Sequence, residues 1–544
     1  MYEVLKAMTQ AERIEYIARD LVSILSVNGT SGELAIANRV ETILQSFPYF
    51  QKFPEQLWTK ELTGDNLKRK NIFALIRKEK QSSTVIFHSH MDTVGIEDYG
   101  TIQNLAGDSD ALTHFFANYA EDLEVQADAQ SGDYLFGRGM LDMKSGIAVN
   151  ISNILYFSEH LEELSGNILL MVNPVEENDH TGAIESTQVI AEMKNEGYEF
   201  LAAINTDFVS PLYQGDTTRY IYTGAAGKIL SCFYIKGRET HVGSTLQGID
   251  PTLLSSAINL AINTNLDLCE TIPDEEILPS SVLYQRDQKD FYNVQTAKIA
   301  RLYFNTFLYE KSASDILKLF SGIAQKAIQS TIENYQNRLA RYQNSIGIST
   351  ETSFEVRFYT FDTYCQMLID KGYDALGLIE AFKKNTSDLD RREAGFQLID
   401  YLENATGEDS PKVVLFIAPP FCPHNFINQD SRVDRVLDQT LAEFSDAEIF
   451  KKRRFFPYLS DSSYLSMRES KAEIDSLLNN FPLSDVIYPL PFETIRSLDI
   501  PAIDLGVYGK GAHTWKERLY KPYSYQTLPK IIQSFTRKLL TSEE

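Results

Sequence analysis

Cysteine is scarce in this 544-residue sequence, and the four present, Cys232, Cys269, Cys365 and Cys422, are too widely separated to form a Cys-x-x-Cys pair. That spacing argues against a thiolate zinc site or a disulfide framework and predicts buried structural thiols. Long apolar runs are also missing. The longer ones, at 168–172 and 413–420, fall far short of the ~20 residues needed to span a bilayer. With 28 Gly and 18 Pro, the chain has too little of either for collagen or a disordered linker protein. Basic residues are outnumbered, 51 against 75 acidic, for a net charge of −24 with His neutral. A field of that sign repels phosphate backbones and anionic lipid, so neither nucleic acid nor a membrane is expected as a partner. The opening ten residues carry no basic n-region and no apolar h-region, which makes a cytoplasmic location the expectation.

What is present is an ordinary globular composition, 43% hydrophobic and 23% charged, long enough for roughly two to five domains. Thr9 and Glu12 have capping-box spacing, and Ile14, Ile17, Leu21, Ile24 and Leu25 recur at helical intervals, predicting a first helix. After a Gly/Ser break at 28–32, a second helix begins near Glu33 with Ile36, Val40, Ile43 and Leu44 on one face. Residues 72–76, 84–88, 167–172 and 202–205 read as strands, and 147–157 as a helix. Strands alternating with helices predict an α/β layer. The texture changes after about residue 215. Strands are expected at 228–235, 300–308, 354–359 and 413–417, a helix at 252–264, and a long amphipathic helix over 314–342. Residues 407–411 are the most linker-like stretch, and the last hundred or so residues alternate helix and strand again.

Five short motifs carry chemistry. His90 and Asp92 stand where a strand ends, a usual place for ligand sites, in a spacing that lets the carboxylate polarise the imidazole. Gly137-Arg138-Gly139-Met140-Leu141-Asp142-Met143-Lys144 presents Asp142 just before a helix, where it could equally be a helix cap. Glu176 and Glu177 follow a buried strand, where their mutual repulsion would push their pKa values apart unless a cation lies between them. Asp207 again follows a strand, and His513 and Glu517 close the series near the C-terminus. Taken singly each motif also has a structural reading. Together they supply the N,O donors of a site for a pair of divalent, zinc-like ions.

In this order, His-x-Asp, Gly-Arg-Gly-x-x-Asp-x-Lys, Glu-Glu, a lone acid and His-x-x-x-Glu, the motifs resemble those of the co-catalytic zinc peptidases of the aminoacylase, glutamate carboxypeptidase and succinyl-diaminopimelate desuccinylase superfamily. Residues 25–33 are similar to that family's opening helix-loop-helix. The large middle segment and residues 418–424 resemble its arginine-utilisation (RocB-type) branch. The resemblance covers most of 10–250 and 430–540. It implies an α/β catalytic domain with a mixed sheet flanked by helices, over 1–214 and 426–544, interrupted by an α+β lid over 215–425.

The resemblance also implies roles. His90 would bind one zinc ion and His513 the other, with Asp142 bridging, Asp207 completing the first and Glu177 the second. Asp92 would orient His90, Glu176 would be the general base, and the bond after Asp142 would be cis. Co²⁺ and Mn²⁺ suit the same donors. His241, in Gly237-Arg238-Glu239-Thr240-His241-Val242-Gly243, resembles the lid histidine that reaches the substrate oxyanion. In compact relatives that histidine enters a partner's site, so a homodimer through the lid is implied, with an internal extension of the lid as the alternative. Residues 459–464 resemble the substrate loop but lack the Arg that desuccinylase-like members use on a carboxylate, which counts against a succinylated substrate. Asp461 in that loop, and Arg301 and Arg357 on lid strands, are the substrate-binding candidates. The remaining histidines, His88, His114, His160, His180 and His424, match no motif and read as structural or surface groups. The implied reaction is hydrolysis of an amide in a peptide or N-acyl amino acid, in arginine or other amino-acid catabolism. Its rivals are a catalytically silent binder of an amino-acid metabolite and a hydrolase of a ureido group.

Overall fold

The computed structural model describes residues 1–273, 275, 277–348, 354–384, 386, 389–456 and 461–541. They form two compact units, one from Met1–Ala226, Asn425–Met467 and Glu493–Glu544, the other from Gly227–His424 and Arg468–Phe492. Residues 468–492, expected with the C-terminal part of the catalytic domain, fall by their contacts in the second unit. Among the described residues no helix is long and apolar enough to cross a membrane.

The first unit is built on an eight-stranded mixed sheet. Its strands run in the spatial order Leu57–Glu61, Lys70–Ile76, Asn167–Asn173, Ser83–His90, Glu199–Asn205, Ala502–Asp504, Arg219–Tyr222 and Phe450–Arg453. The central strands Asn167–Asn173, Ser83–His90 and Glu199–Asn205 are parallel neighbours, with His90 opposite Asn173 and His88 opposite Asn205. Because these strands run the same way, their C-terminal ends lie along one edge of the sheet. Both faces are covered, as parallel strands require. Ile72, Ala74, Phe87 and Leu170 join one core with the helices Gln10–Val22 and Ser145–Glu159, while Phe73, Leu75, Ile86 and Leu169 join another with Thr181–Asn195. The first helix has the predicted Thr9–Glu12 capping box but stops at Val22, short of Ile24 and Leu25. The released Ile24 carbonyl accepts a hydrogen bond from Lys144 Nζ at 2.8 Å.

The second unit holds a five-stranded sheet in the order Ser281–Asp287, Ile299–Leu308, Gly227–Lys236, Lys412–Cys422 and Arg357–Thr360. All neighbours are antiparallel except the last pair. Residues 407–411 are a loop within this unit, where Lys236 reaches Asp409 at 2.7 Å, and not a linker between units. The long helix runs Ala313–Ser345 and buries Ile316, Phe320, Ala324, Ile328, Tyr335 and Leu339, with Phe320 against Phe233 and Phe304 of the sheet. The strand expected at 354–359 starts only at Arg357, because Phe354 turns inward onto the Tyr335 ring.

Candidate metal centre

The parallel strand ends deliver the acids and the imidazole to one place. His90 is the last residue of its strand, and Glu176, Glu177 and Asp207 follow the ends of the two neighbouring strands. Asp142 comes from the glycine-rich turn before the helix Ser145–Glu159. Gly139 there has φ 77°, and a side chain on it would press to 2.7 Å from Thr93 Cγ2. The Asp142–Met143 peptide is cis. His513 enters from the loop after the strand Val507–Lys510.

Asp142 stands at the middle. Its Oδ1 lies 3.0 Å from His90 Nε2, and its Oδ2 lies 2.9 Å from His513 Nε2. Glu177 Oε2 is 3.3 Å from the same His513 nitrogen. Two groups result whose donor atoms all lie within 4.8 Å of one another, His90–Asp142–Asp207 and Asp142–Glu177–His513. Glu176 Oε2 lies 4.0 Å from His90 Nε2. Asp92 sits behind His90, its Oδ1 3.7 Å from Nδ1, and its two oxygens also accept the backbone N–H groups of Glu176 and Glu177 at 3.0 Å each. One buried aspartate thus steadies the imidazole and holds the glutamate pair by its backbone, a contact that the sequence did not suggest.

The electrostatics are those of crowded anions. Burial, aggravated by the Asp142 charge, pushes the Asp207 carboxyl up to about 7 and raises that of Glu177. Burial also lifts the Glu176 carboxyl well above the ordinary range, against the pull of His90 and His180. Asp142 goes the other way: burial would raise it, but hydrogen bonds from His513 and His90 hold it far below. Donating to the oxygens of Asp142 and Glu177 in turn pushes the His513 imidazole up to about 11. Among the described residues the buried Glu177 Oε1 has no hydrogen-bond partner. Such a set of repelling carboxylates, with a donor atom left over, fits divalent cations, whose charge would cancel the repulsion.

Two motifs are bolted to each other. Arg138 Nη1 pairs with Glu517 Oε2 at 2.8 Å, both side chains being 1% exposed, and Glu517 Oε1 accepts the N–H groups of Leu141 at 2.9 Å and Asp142 at 3.1 Å. Glu517 therefore fixes the turn that carries Asp142. Removing one partner of a buried pair leaves the other charge unpaired. Glu517→Ala should cost about 3–5 kcal/mol of unfolding free energy in a denaturant titration. An unmoved midpoint would show that Asp98, the other partner of Arg138, suffices on its own.

The remaining candidates are Arg301, Arg357, Asp461 and His241. Arg301 is held at 2.5 and 2.7 Å by Glu393 and Asp400, and Arg357 at 2.7 Å by Glu355. Arg301 is a mostly buried, doubly paired group, whereas Arg357 makes an exposed surface pair that leaves it open to solvent. Asp461 is buried and hydrogen-bonds His180 Nδ1 at 2.8 Å, while Leu459 and Ser460 of the same loop lie outside the described residues. His241 is exposed in the second unit, with Nδ1 accepting the Gly243 N–H at 3.0 Å. His88 bridges Ser462 and Asn173 at 2.8 and 2.7 Å, a structural role.

Residues 86–537 match the model of peptidase family M20/M25/M40. The chain is 45% identical to protein RocB of Bacillus subtilis (strain 168), over 99% of this chain and 97% of that one. Among solved structures, the aminopeptidase PepT of Bacillus cereus aligns with a TM-score of 0.53 at 11% identity, covering 97% of this chain and 98% of its own. The dipeptidase Dug1p of Saccharomyces cerevisiae aligns with the same TM-score at 10% identity over 100% of both.

Proposed function

We propose, for a chain that belongs to peptidase family M20/M25/M40 and is thereby a metal-dependent hydrolase, that it cleaves an amide bond in a small peptide or N-acyl amino acid at a pair of zinc ions. The observation that carries the reading is the division of Asp142, one oxygen toward His90 and the other toward His513. His90 and Asp207 would complete one ion's shell, and Glu177 and His513 the other's, with Asp142 common to both. Bound ions would supply Lewis acidity, which polarises the scissile carbonyl and makes a water acidic near neutral pH. Asp92 holds His90 from behind and keeps the Glu176 backbone in place. Glu176 takes the attacking water's proton and delivers it to the leaving amine. The identity to RocB over nearly all of both chains, with the resemblance to the arginine-utilisation branch, favours arginine derivatives or related amino-acid derivatives as substrates. Metal-loaded protein tested on dipeptides, N-acyl amino acids including arginine derivatives, and ureido compounds decides the substrate. Turnover of the ureido compounds alone would replace this reading.

His241 is the proposed oxyanion donor, supplied across a homodimer. Support for the dimer comes from the second unit's edge strand Ser281–Asp287 and neighbouring helix Pro251–Ile262, where Leu283 is 58% and Leu260 87% exposed. Apolar side chains along an open sheet edge are costly unless another chain covers them. Donors of this kind act mainly in the transition state, so His241→Ala should keep both ions and nearly normal KM while kcat falls about 10²–10³-fold. Mixing inactive His241→Ala with inactive Glu176→Gln protein should restore activity, because one site per heterodimer is then complete. No rescue would mean that the histidine acts within its own chain.

A further inference from the structure

The loop that carries Glu176 is held in an unusual backbone. Val175 has φ 69° and His180 φ 56°, and the His180 N–H closes the loop onto the Val175 carbonyl at 2.8 Å. A β-branched residue in the left-handed region is rare and persists only where its surroundings enforce it. Asp92 fixes the Glu176 backbone from one side. On the other side the Glu176 side chain meets His180, whose Nδ1 lies 3.9 Å from Oε1 and 2.8 Å from Asp461 Oδ1. The three side chains are buried, at 9%, 1% and 3% exposure respectively. Asp461 comes from 281 residues away and is itself anchored. The next residue, Ser462, meets His88 Nδ1 with its hydroxyl at 2.8 Å, and its carbonyl accepts from Asn425 at 2.9 Å.

We propose that His180 and Asp461 form a positioning pair for Glu176, setting which oxygen of its carboxyl group faces the reacting centre. The proposal rests on the reading of Glu176 as the base. The bond to Asp461 requires the proton on His180 Nδ1, because a carboxylate only accepts. That edge also faces Glu176 Oε1 at 3.9 Å, too long for a hydrogen bond but close enough for the imidazole to pack against and attract this oxygen on the loop side. Oε2 is left on the side of His90, 4.0 Å from Nε2, where the water would be deprotonated. Glu176, His180 and Asp461 also lie close enough together to hold an ion of their own. An ion there would have to displace the Nδ1 proton, and metal analysis separates the two uses.

A carboxylate misplaced by about 1 Å can cost on the order of 10² in rate. His180→Ala and Asp461→Ala should each lower kcat about 10- to 100-fold, leave KM within about twofold, and retain two ions per chain by metal analysis. His180→Asn places an amide nitrogen near the position of Nδ1, and Asp461→Asn keeps an acceptor oxygen. Both should therefore recover part of the loss. The double Ala variant should be no slower than the worse single one, because the two residues act as a unit. Unchanged kcat in His180→Ala, multiplicative losses in the double variant, a raised KM alone in Asp461→Asn, or a third ion lost with either residue would each overturn the proposal. Glu176→Gln serves as the control. If it is inactive while the His180 variants are normal, only the positioning pair falls. If it turns over normally, the base assignment itself has failed.

Discussion

Glu176→Gln is expected to bind both ions as the parent protein does and to hydrolyse substrate about 10²–10⁴-fold more slowly, with KM nearly unchanged. The substitution keeps the size and planarity of the side chain, and its amide still fits between His90 and His180, 4.0 and 3.9 Å away. What it loses is the ability to take a proton. Burial holds the Glu176 carboxyl well above the usual range, and two dications alongside would bring it back toward the value of a working base. The measurement is single-turnover rate beside metal content on the same sample. Turnover near the parent rate with both ions present would remove Glu176 from the chemistry. Loss of an ion would instead make it a ligand.

The parts of this centre that are legible in the sequence are the local ones. A strand followed within a few residues by an acid or imidazole is visible in a short window, and it brings out His90, Glu176, Glu177 and Asp207. Parallel pairing then carries these residues to one edge of the sheet. The alternating apolar stretches likewise announce the α/β layer, down to the Thr9–Glu12 cap. Contacts between distant segments leave no such trace. Arg138 and Glu517 are 379 residues apart, His180 and Asp461 281, and neither pair has a periodicity that joins its members. His180 beside the glutamate pair was the nearest thing to a signal. The acids paired with Arg301, Glu393 and Asp400, lie 92 and 99 residues further along and are equally hidden. The placement of 468–492 in the second unit was hidden for the same reason, since Asn480 reaches the strand Lys412–Cys422 through a backbone bond to Ile417.

Asp142→Ala should empty both ion positions, not one. Asp142 alone belongs to both donor groups among the described residues, and each of its oxygens faces a different histidine. The rival view, that this aspartate is only a helix cap, finds no contact to support it. The helix Ser145–Glu159 takes Lys144 as its N-cap residue and has no side-chain cap bond. Affinity for both ions should therefore fall beyond the ~10–100-fold typical of losing an outer-shell partner. Glu177→Ala should weaken only the ion shared with His513. Protons compete for the same lone pairs: acids around His513 push its imidazole up to about 11, so loading an ion must expel that proton. Occupancy should thus drop as pH falls, and metal loading should release protons that a pH-stat can count. In Asp142→Ala the His513 imidazole loses its main acidic partner and its pKa should come down, so fewer protons are released per ion bound. A metal-to-protein ratio that stays at two in Asp142→Ala would mean that Asp142 does not bridge, and the two groups would then have to be read as separate sites.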